Sequence, residues 1–113
     1  MLGKSNTTKA KKIIRSEIRS HDYNTKSLIN EVKYQIKNDR YVRTPYQAGK
    51  KLVEGGTFAC YCSQTDDMLS KIYGKKNVSK WSNDKKWNVY SHLIARETES
   101  VYNSGRMNLR KKK

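Results

Sequence analysis

The sequence predicts an all-α protein in which four or five short helices form one small domain with basic, flexible termini. Apolar residues recur at intervals of three and four in several segments, as they do on one face of a helix. Helix-capping residues precede some of these segments, and only one run has the partly alternating character of a strand. With 113 residues, 35% of them hydrophobic, the chain can build a single modest core.

The first predicted helix, Lys9–Ser20, is cationic and follows residues 1–8, whose composition is typical of a disordered tail. Its apolar stripe consists of Ile13, Ile14 and Ile18. The stripe fits two interpretations: a helix that lies along phosphate groups, or an ordinary amphipathic helix with a solvated face. A single helical domain is expected over residues 9–103.

The next two helices have clearer starts. Asn24 or Thr25 can cap a helix over Thr25–Asn38, which carries apolar residues at helical spacing. At Thr44-Pro45-Tyr46-Gln47, a capping hydroxyl precedes a proline at the first helical position, and the glutamine completes a capping box. This third helix is predicted over 45–54 and ends at Gly55-Gly56.

The segment that follows is ambiguous. Phe58, Tyr61, Leu69 and Ile72 fit one face of a fourth helix over 58–73, with Gly74 just after its end. The aromatic run at 57–62 also fits a short strand, although no second strand-like run exists for it to pair with.

Residues 74–86 have the composition of an exposed basic loop. A last, long helix is predicted over 84–103, capped by Ser82 or Asn83 and ended by Asn103-Ser104-Gly105, before a basic tail at 104–113. The residues expected to form the core are Ile29, Val32, Ile36, Leu52, Val53, Phe58, Leu69, Ile72, Trp87, Tyr90, Ile94 and Val101.

The charge is strongly positive and unevenly distributed. Lys and Arg number 25 against 10 Asp and Glu, which gives a net charge of +15. Residues 1–20, 71–86 and 104–113 each carry +5, whereas the stretches between them are close to neutral. This layout favours a folded body with basic appendages directed at a polyanion, rather than a uniformly basic surface. The alternative is a basic protein that has no nucleic-acid partner.

Basic residues mixed with tryptophan indicate where such a partner would bind. Lysines neutralise phosphates, and an exposed indole can stack on an unpaired base. Trp81 lies outside any periodic face, so it is either the stacking residue or a lid that tucks back on the fold, whereas Trp87 is assigned to the core. The candidate nucleic-acid or partner-binding residues are Lys9, Lys11, Lys12, Arg15, Lys75, Lys76, Lys80, Trp81, Lys85, Lys86, Arg106, Arg110, Lys111, Lys112 and Lys113.

Catalytic residues are scarce, and the sequence predicts no enzyme. The two histidines are His21, in a turn beside Asp22, and His92, expected to be packed or half-exposed in the last helix. A metal-dependent nuclease would need grouped carboxylates. The acidic residues at 66 and 67 better fit the first turn of a helix, and Glu97 fits a surface ion pair with the adjacent Arg96.

No metal, cofactor or membrane segment is predicted. Cys60 and Cys62 are separated by one residue, which does not suit a structural zinc site, and no phosphate-binding glycine motif is present. No apolar run approaches the ~20 residues of a membrane span, so a cytoplasmic protein is expected. The helices at 45–54 and 58–73 resemble a helix-turn-helix, but Asp66 and Asp67 disfavour insertion of the second helix into DNA.

Two stretches carry a resemblance to a group of proteins. They are Tyr41-Val42-Arg43-Thr44-Pro45-Tyr46-Gln47-Ala48, continuing to Leu52-Val53-Glu54-Gly55-Gly56, and residues 87–102 with His92-Leu93-Ile94-Ala95-Arg96-Glu97. Over about residues 22–103, the chain resembles small uncharacterised proteins of phages of low-GC Gram-positive bacteria. The resemblance implies a context in which small basic proteins bind a host or phage machine, as anti-CRISPR and other anti-defence proteins do.

The sequence therefore predicts a non-enzymatic phage or mobile-element accessory protein that acts in the cytoplasm of the infected host cell. It is expected to bind DNA, RNA or a nucleic-acid–protein complex through its basic patches, most concretely as an inhibitor of a host nuclease such as a CRISPR effector. The alternatives are an inhibitor that docks on an acidic host-protein surface, and a DNA-binding regulator.

Overall fold

The structure, a computed structural model, describes residues 8–54 and 63–111, with side-chain surroundings in the second range described for 65–104. All regular structure within these residues is helical, which confirms the all-α fold class. The fourth-helix start and the alternative strand at 57–62 lie outside the described residues. The helices are α1 (Thr8–Ser20), α2 (Thr25–Asn38), α3 (Pro45–Glu54), α4 (Ser63–Tyr73), α5 (Lys75–Val78) and α6 (Asn83–Lys111).

Three helices begin at the capping residues that the sequence predicted. The Asn24 side chain accepts a hydrogen bond from the Ser27 amide at 2.8 Å, and the Ser27 hydroxyl accepts one from the Asn24 amide. Thr44 and Gln47 form the same reciprocal box at the start of α3, with both distances 3.1 Å. The Ser82 hydroxyl accepts a hydrogen bond from the Lys85 amide at the start of α6. Each cap satisfies a backbone donor that would otherwise have no intrahelical partner.

The core forms around α6, which packs against α1, α2, α3 and α4. Six predicted core residues are buried, whereas Ile29, Ile36, Ile72, Trp87 and Val101 are half-buried at its edge, and Phe58 lies outside the described residues. The buried six are Val32, Leu52, Val53, Leu69, Tyr90 and Ile94. The prediction missed other buried side chains, including Leu28, Met68, Tyr73, Val78 and Leu93.

The apolar stripe of α1 belongs to this core. Ala10, Ile14 and Ile18 are buried at successive four-residue intervals, and α1 packs on α4 and α6. Ile13 is half-buried against the same cluster. The stripe is therefore the packed side of an amphipathic helix, which leaves the opposite, cationic side exposed.

Two predicted segments differ from the structure. Residues 74–86, predicted as a loop, contain α5 and the start of α6; Gly74, with φ 93°, makes the turn that separates α5 from α4. Asn103-Ser104-Gly105 does not end the last helix, because α6 continues to Lys111. The part of the predicted basic tail at 104–111 is therefore helical. Among the described helices, none has the length and apolarity that crossing a membrane requires.

Candidate nucleic-acid interface

The lysines of α1 line its exposed side. With Ala10, Ile14 and Ile18 facing the core, Lys9, Lys11 and Lys12 lie on the remaining surface, and all three are exposed. These three residues are called here the α1 lysine group. No ion pair in the described part of the chain involves them. Their ammonium groups are consequently available to an external anion.

Arg15 is also exposed in part, but its guanidinium is engaged. Its Nε donates a hydrogen bond to the Glu97 carboxylate, whose side chain is only 4% exposed. The sequence interpretation of Glu97 as the partner of Arg96 on the surface is therefore wrong: the carboxylate lies in the α1–α6 interface. Arg15 therefore stabilises the fold by pairing with Glu97, because an unpaired carboxylate at that depth would be unfavourable. Binding an external ligand would compete with this ion pair.

The connection from α4 to α6 carries a second set of exposed cations. Lys75 and Lys76 lie on α5, and Lys80 lies in the turn after it; all three are exposed. They are called here the connection lysine group. The ion pairs within residues 8–54 and 65–104 leave this group out as well. By contrast, Lys86 is 13% exposed and pairs with Asp66 of α4 at 3.3 Å, so it helps to hold α6 against α4.

Trp81 tucks back against the fold. It is half-buried, its ring centroid is 5.3 Å from that of the buried Tyr73, and it packs against the main core cluster. The Lys85 ammonium lies over the indole, 4.6 Å from the ring centroid. A base that stacked on this face would have to displace that ammonium and forgo a cation–π contact of about 0.5–1 kcal/mol. The geometry favours the lid interpretation of Trp81.

The C-terminal candidates fall beyond what the structure describes in detail. Arg106, Arg110 and Lys111 belong to α6, but their side-chain surroundings lie outside the described residues, as do Lys112 and Lys113 altogether. The α1 lysine group and the connection lysine group remain. The first group lies on α1, and the second lies on α5 and the turn after it; both α1 and α5 pack on α4.

The histidines take part in contacts between helices. His92 Nδ1 lies 2.8 Å from the Tyr46 hydroxyl, which joins α6 to α3. Burial lowers the pKa of His92, and the nearby charges of Arg96 and Lys50 lower it further. As predicted, this histidine is half-buried.

The turn histidine has a comparable role. His21 Nε2 lies 3.2 Å from a Glu17 carboxylate oxygen, and the Tyr90 hydroxyl donates a hydrogen bond to the same oxygen at 2.7 Å. This carboxylate therefore joins α1, the following turn and α6. Among the residues that the structure describes, no group of three or more His, Cys, Asp or Glu is arranged to hold a metal ion.

Sequence reasoning overlooked the connection between α2 and α3. Tyr41 is 74% exposed, and the Arg40 guanidinium lies over its ring at 5.1 Å from the centroid. The net charge of residues 21–70 is close to zero, so a count of charges along the sequence does not single out the stretch around Tyr41. The usable signal was local: Arg40-Tyr41-Val42-Arg43 sets an aromatic residue between two arginines.

Comparison of the chain with protein-family models, with curated proteins and with solved structures finds no match. The resemblance to phage proteins stays a prediction.

Proposed function

We propose that this protein binds nucleic acid, or a complex of nucleic acid and protein, without performing chemistry. Its most concrete form is a phage or mobile-element accessory protein that inhibits a host defence nuclease, such as a CRISPR effector, in the cytoplasm of the infected cell. The observation that carries the proposal is the set of six exposed lysines in the α1 lysine group and the connection lysine group.

Among the candidates whose side chains the structure describes, those six lysines are exposed and lie outside every ion pair and cation–π contact. Arg15 and Lys86 are paired with Glu97 and Asp66, and Lys85 lies on Trp81. An exposed lysine outside any ion pair can contact a phosphate without first breaking another interaction. The contact favours binding because it releases the counterions condensed on the nucleic acid. The gain requires no particular base sequence. The six lysines, on α1, α5 and the turn after α5, therefore support general phosphate binding rather than sequence readout.

Nuclease inhibition fits such a surface in one specific way. Defence nucleases guided by RNA hold a polyanion, the duplex of guide and target, in a positively charged channel, and they recognise it largely through its backbone and helical shape. A small cationic domain that binds the same backbone competes with the enzyme for its own guide or target. No catalytic residue of the inhibitor is needed for that effect.

The experiment is a titration of labelled duplex DNA, single-stranded DNA and structured RNA with nuclease-treated protein, followed by fluorescence anisotropy. If all six lysines contact phosphates, the affinity for duplex DNA should fall on the order of 10³-fold between ~50 and ~200 mM salt. If only one group of three does so, the fall should be about 40-fold. Absence of binding at micromolar protein in ~50 mM salt contradicts the proposal.

Matched variants separate specific contacts from overall charge. One variant carries Lys75→Glu, Lys76→Glu and Lys80→Glu; a second carries Lys9→Glu, Lys11→Glu and Lys12→Glu. The control changes three exposed lysines of α2 in the same way, with an identical change in net charge: Lys26, Lys33 and Lys37. At least one test variant should lose affinity much more strongly than the control, and equal losses in all three would reduce the effect to net charge alone.

A second candidate is an inhibitor that docks on an acidic host-protein surface. A cavity of about 340 Å³ between α1, α2 and α6 supports it, because Ile18, Leu28 and Val101 line its apolar part and the exposed Arg19 lies at its edge. An acidic segment with an apolar residue would match both features. Capture of one host protein that survives nuclease treatment of the lysate, together with no binding to free nucleic acid, favours this candidate over the first.

The DNA-binding regulator has less support. In the described residues, α3 packs mainly on α6 and α2, whereas α4 packs on α1, α5 and α6. The helices of a helix-turn-helix cross over each other instead. Strong preference for one duplex sequence in the same titration would restore this alternative.

A further inference from the structure

The turn between α2 and α3 presents an aromatic ring on a rigid support. The Asp39 carboxylate accepts a hydrogen bond from the Tyr41 amide at 2.9 Å, and the Asp39 carbonyl accepts one from the Val42 amide at the same distance. Val42 is buried, yet Tyr41 next to it is 74% exposed. A ring this exposed contributes little apolar burial to the fold, and most of its surface is open to a ligand.

The exposed ring borders a shallow groove. Its cavity volume is about 440 Å³, and Tyr41, Tyr46, Gln47, Lys50 and Lys51 are among the residues that line it. Tyr46 is anchored to α6, since its hydroxyl lies 2.8 Å from His92 Nδ1. The groove therefore offers two aromatic rings with polar groups between them.

The groove differs from the α1 lysine group and the connection lysine group because its own lysines are ion-paired. Lys51 pairs with Asp39, and Lys50 pairs with Glu54 at 3.1 Å, so both groove lysines are compensated. Arg40 and Arg43, by contrast, are exposed beside Tyr41 and lie outside every ion pair found in the described residues. Arg40 is engaged with the ring itself: its guanidinium lies 5.1 Å from the Tyr41 ring centroid, and its Nη2 donates a hydrogen bond to the Tyr41 hydroxyl at 3.1 Å. Since it occupies one face of the ring, a base has to stack on the other face. Arg43 is the arginine available for a neighbouring phosphate.

We propose that Tyr41 and the groove beside it form a subsite for an unpaired base of single-stranded DNA or RNA, with Arg40 packed on the far face of the ring and Arg43 contacting a flanking phosphate. The inference rests on the proposed function and narrows it to single strands at this surface. A duplex hides its base faces by stacking, so it can offer its phosphates here but no base. An unpaired base can stack on an exposed aromatic side chain whatever its identity.

The test compares Tyr41→Ala, Tyr41→Phe and the matched control Tyr34→Ala. Tyr34 is 64% exposed on α2 and does not line the groove, so its loss removes an exposed tyrosine of the same kind. Each variant is titrated with single-stranded DNA, single-stranded RNA and duplex DNA at ~50 mM salt. Circular dichroism and thermal unfolding establish that each variant is folded.

Tyr41→Ala should weaken single-strand binding by about 5- to 140-fold, which corresponds to the about 1–3 kcal/mol that removing one stacked base costs. Tyr41→Phe, which keeps the ring, and Tyr34→Ala should each stay within about twofold of the original chain. Duplex binding should be unchanged by all three. Binding of single strands that Tyr41→Ala leaves intact, or weakens no more than it weakens duplex binding, overturns the inference while the proposed function stands. If the original chain binds none of the three polymers, the result contradicts both this inference and the proposed function.

Discussion

The backbone of α3 at Gly49 lies directly against the backbone of α6 at Ala95. A Cβ atom at position 49 would stand 2.7 Å from the Ala95 Cα and 2.9 Å from the Thr98 Cβ. Distances this short cannot be relieved by rotating a flexible side chain, because the first of these contacts is with main chain. The two helices can approach this closely only while position 49 lacks a side chain.

Gly49→Ala should therefore destabilise the protein by about 1–3 kcal/mol, the usual range for overpacking. Alanine is the better helix former by about 1 kcal/mol, so an exposed glycine would respond in the opposite direction. Urea unfolding followed by circular dichroism measures the difference. Asn30→Ala on the exposed face of α2 is the control and should stay within about 0.5 kcal/mol. A more stable Gly49→Ala variant would contradict the close approach.

Arg15 and Glu97 should behave as a coupled pair. Arg15→Ala leaves a carboxylate that is 4% exposed without its guanidinium, and we expect a loss of about 1–3 kcal/mol. The value should lie toward the lower end because the Arg15 side chain is 48% exposed and water can reach the site. A double-mutant cycle with Glu97→Ala measures the coupling free energy. Purely additive losses would show that the pair contributes nothing to stability.

The burial of His92 should make stability depend on pH. Burial, with Arg96 and Lys50, lowers the pKa of His92 in the folded protein below the ordinary value of 6.5. As the pH falls through 6.5, the unfolded chain takes up a proton that the folded protein resists, so the free energy of unfolding decreases. Thermal unfolding from pH 7.5 to 5.5 should show a falling midpoint.

His92→Gln should flatten that dependence, because the titrating group is gone. His21→Gln is the control: it removes the other histidine, the one beside Glu17, and should leave the His92 contribution in place. A midpoint that rises toward pH 5.5 in the original chain, or an identical slope in the His92→Gln variant, would argue against this assignment.

Trp81 should prove to be a structural residue. Trp81→Ala uncovers the ring of Tyr73, which is 2% exposed, and should cost about 2–3 kcal/mol, less than the loss of a fully buried tryptophan. Tyr73→Phe is the companion variant: the Tyr73 hydroxyl is buried without a hydrogen-bond partner in the described residues, so its removal should be neutral or stabilising. Unchanged stability in Trp81→Ala with lost nucleic-acid affinity would instead make the indole a binding residue.

Local chemistry explains which parts of the fold the sequence predicted. The starts of α2 and α3 depend on Asn24 and on the Thr44–Gln47 pair, whose hydrogen bonds reach no further than three residues. The end of α6 was mispredicted because Gly105 weakens a helix by only about 1 kcal/mol, and a helix already formed is extended at little further cost. The four residues of α5 are too few to show an apolar period.

The candidate site was predicted less completely because charge alone does not reveal pairing. Lys75 and Lys86 are equivalent in the sequence, but only the fold brings Asp66 to one of them. The exposure of Tyr41 is likewise a tertiary property: it depends on Val42 being the residue that turns inward. A pattern of residue types identifies lysines and tyrosines, and packing decides which of them reach solvent.

The central position of α6 has a consequence during translation. It packs against α1, α2, α3 and α4, yet it follows all of them in the chain. At the ribosome's rate of about 5–20 residues per second, α1 is complete about 4–16 s before residue 102 has been added. Throughout that interval, Ile14 and Ile18 have no α6 to cover them. Contacts such as those of α1 with α4 and of α2 with α3 can form earlier, but the core around α6 closes only after the last helix has been synthesised.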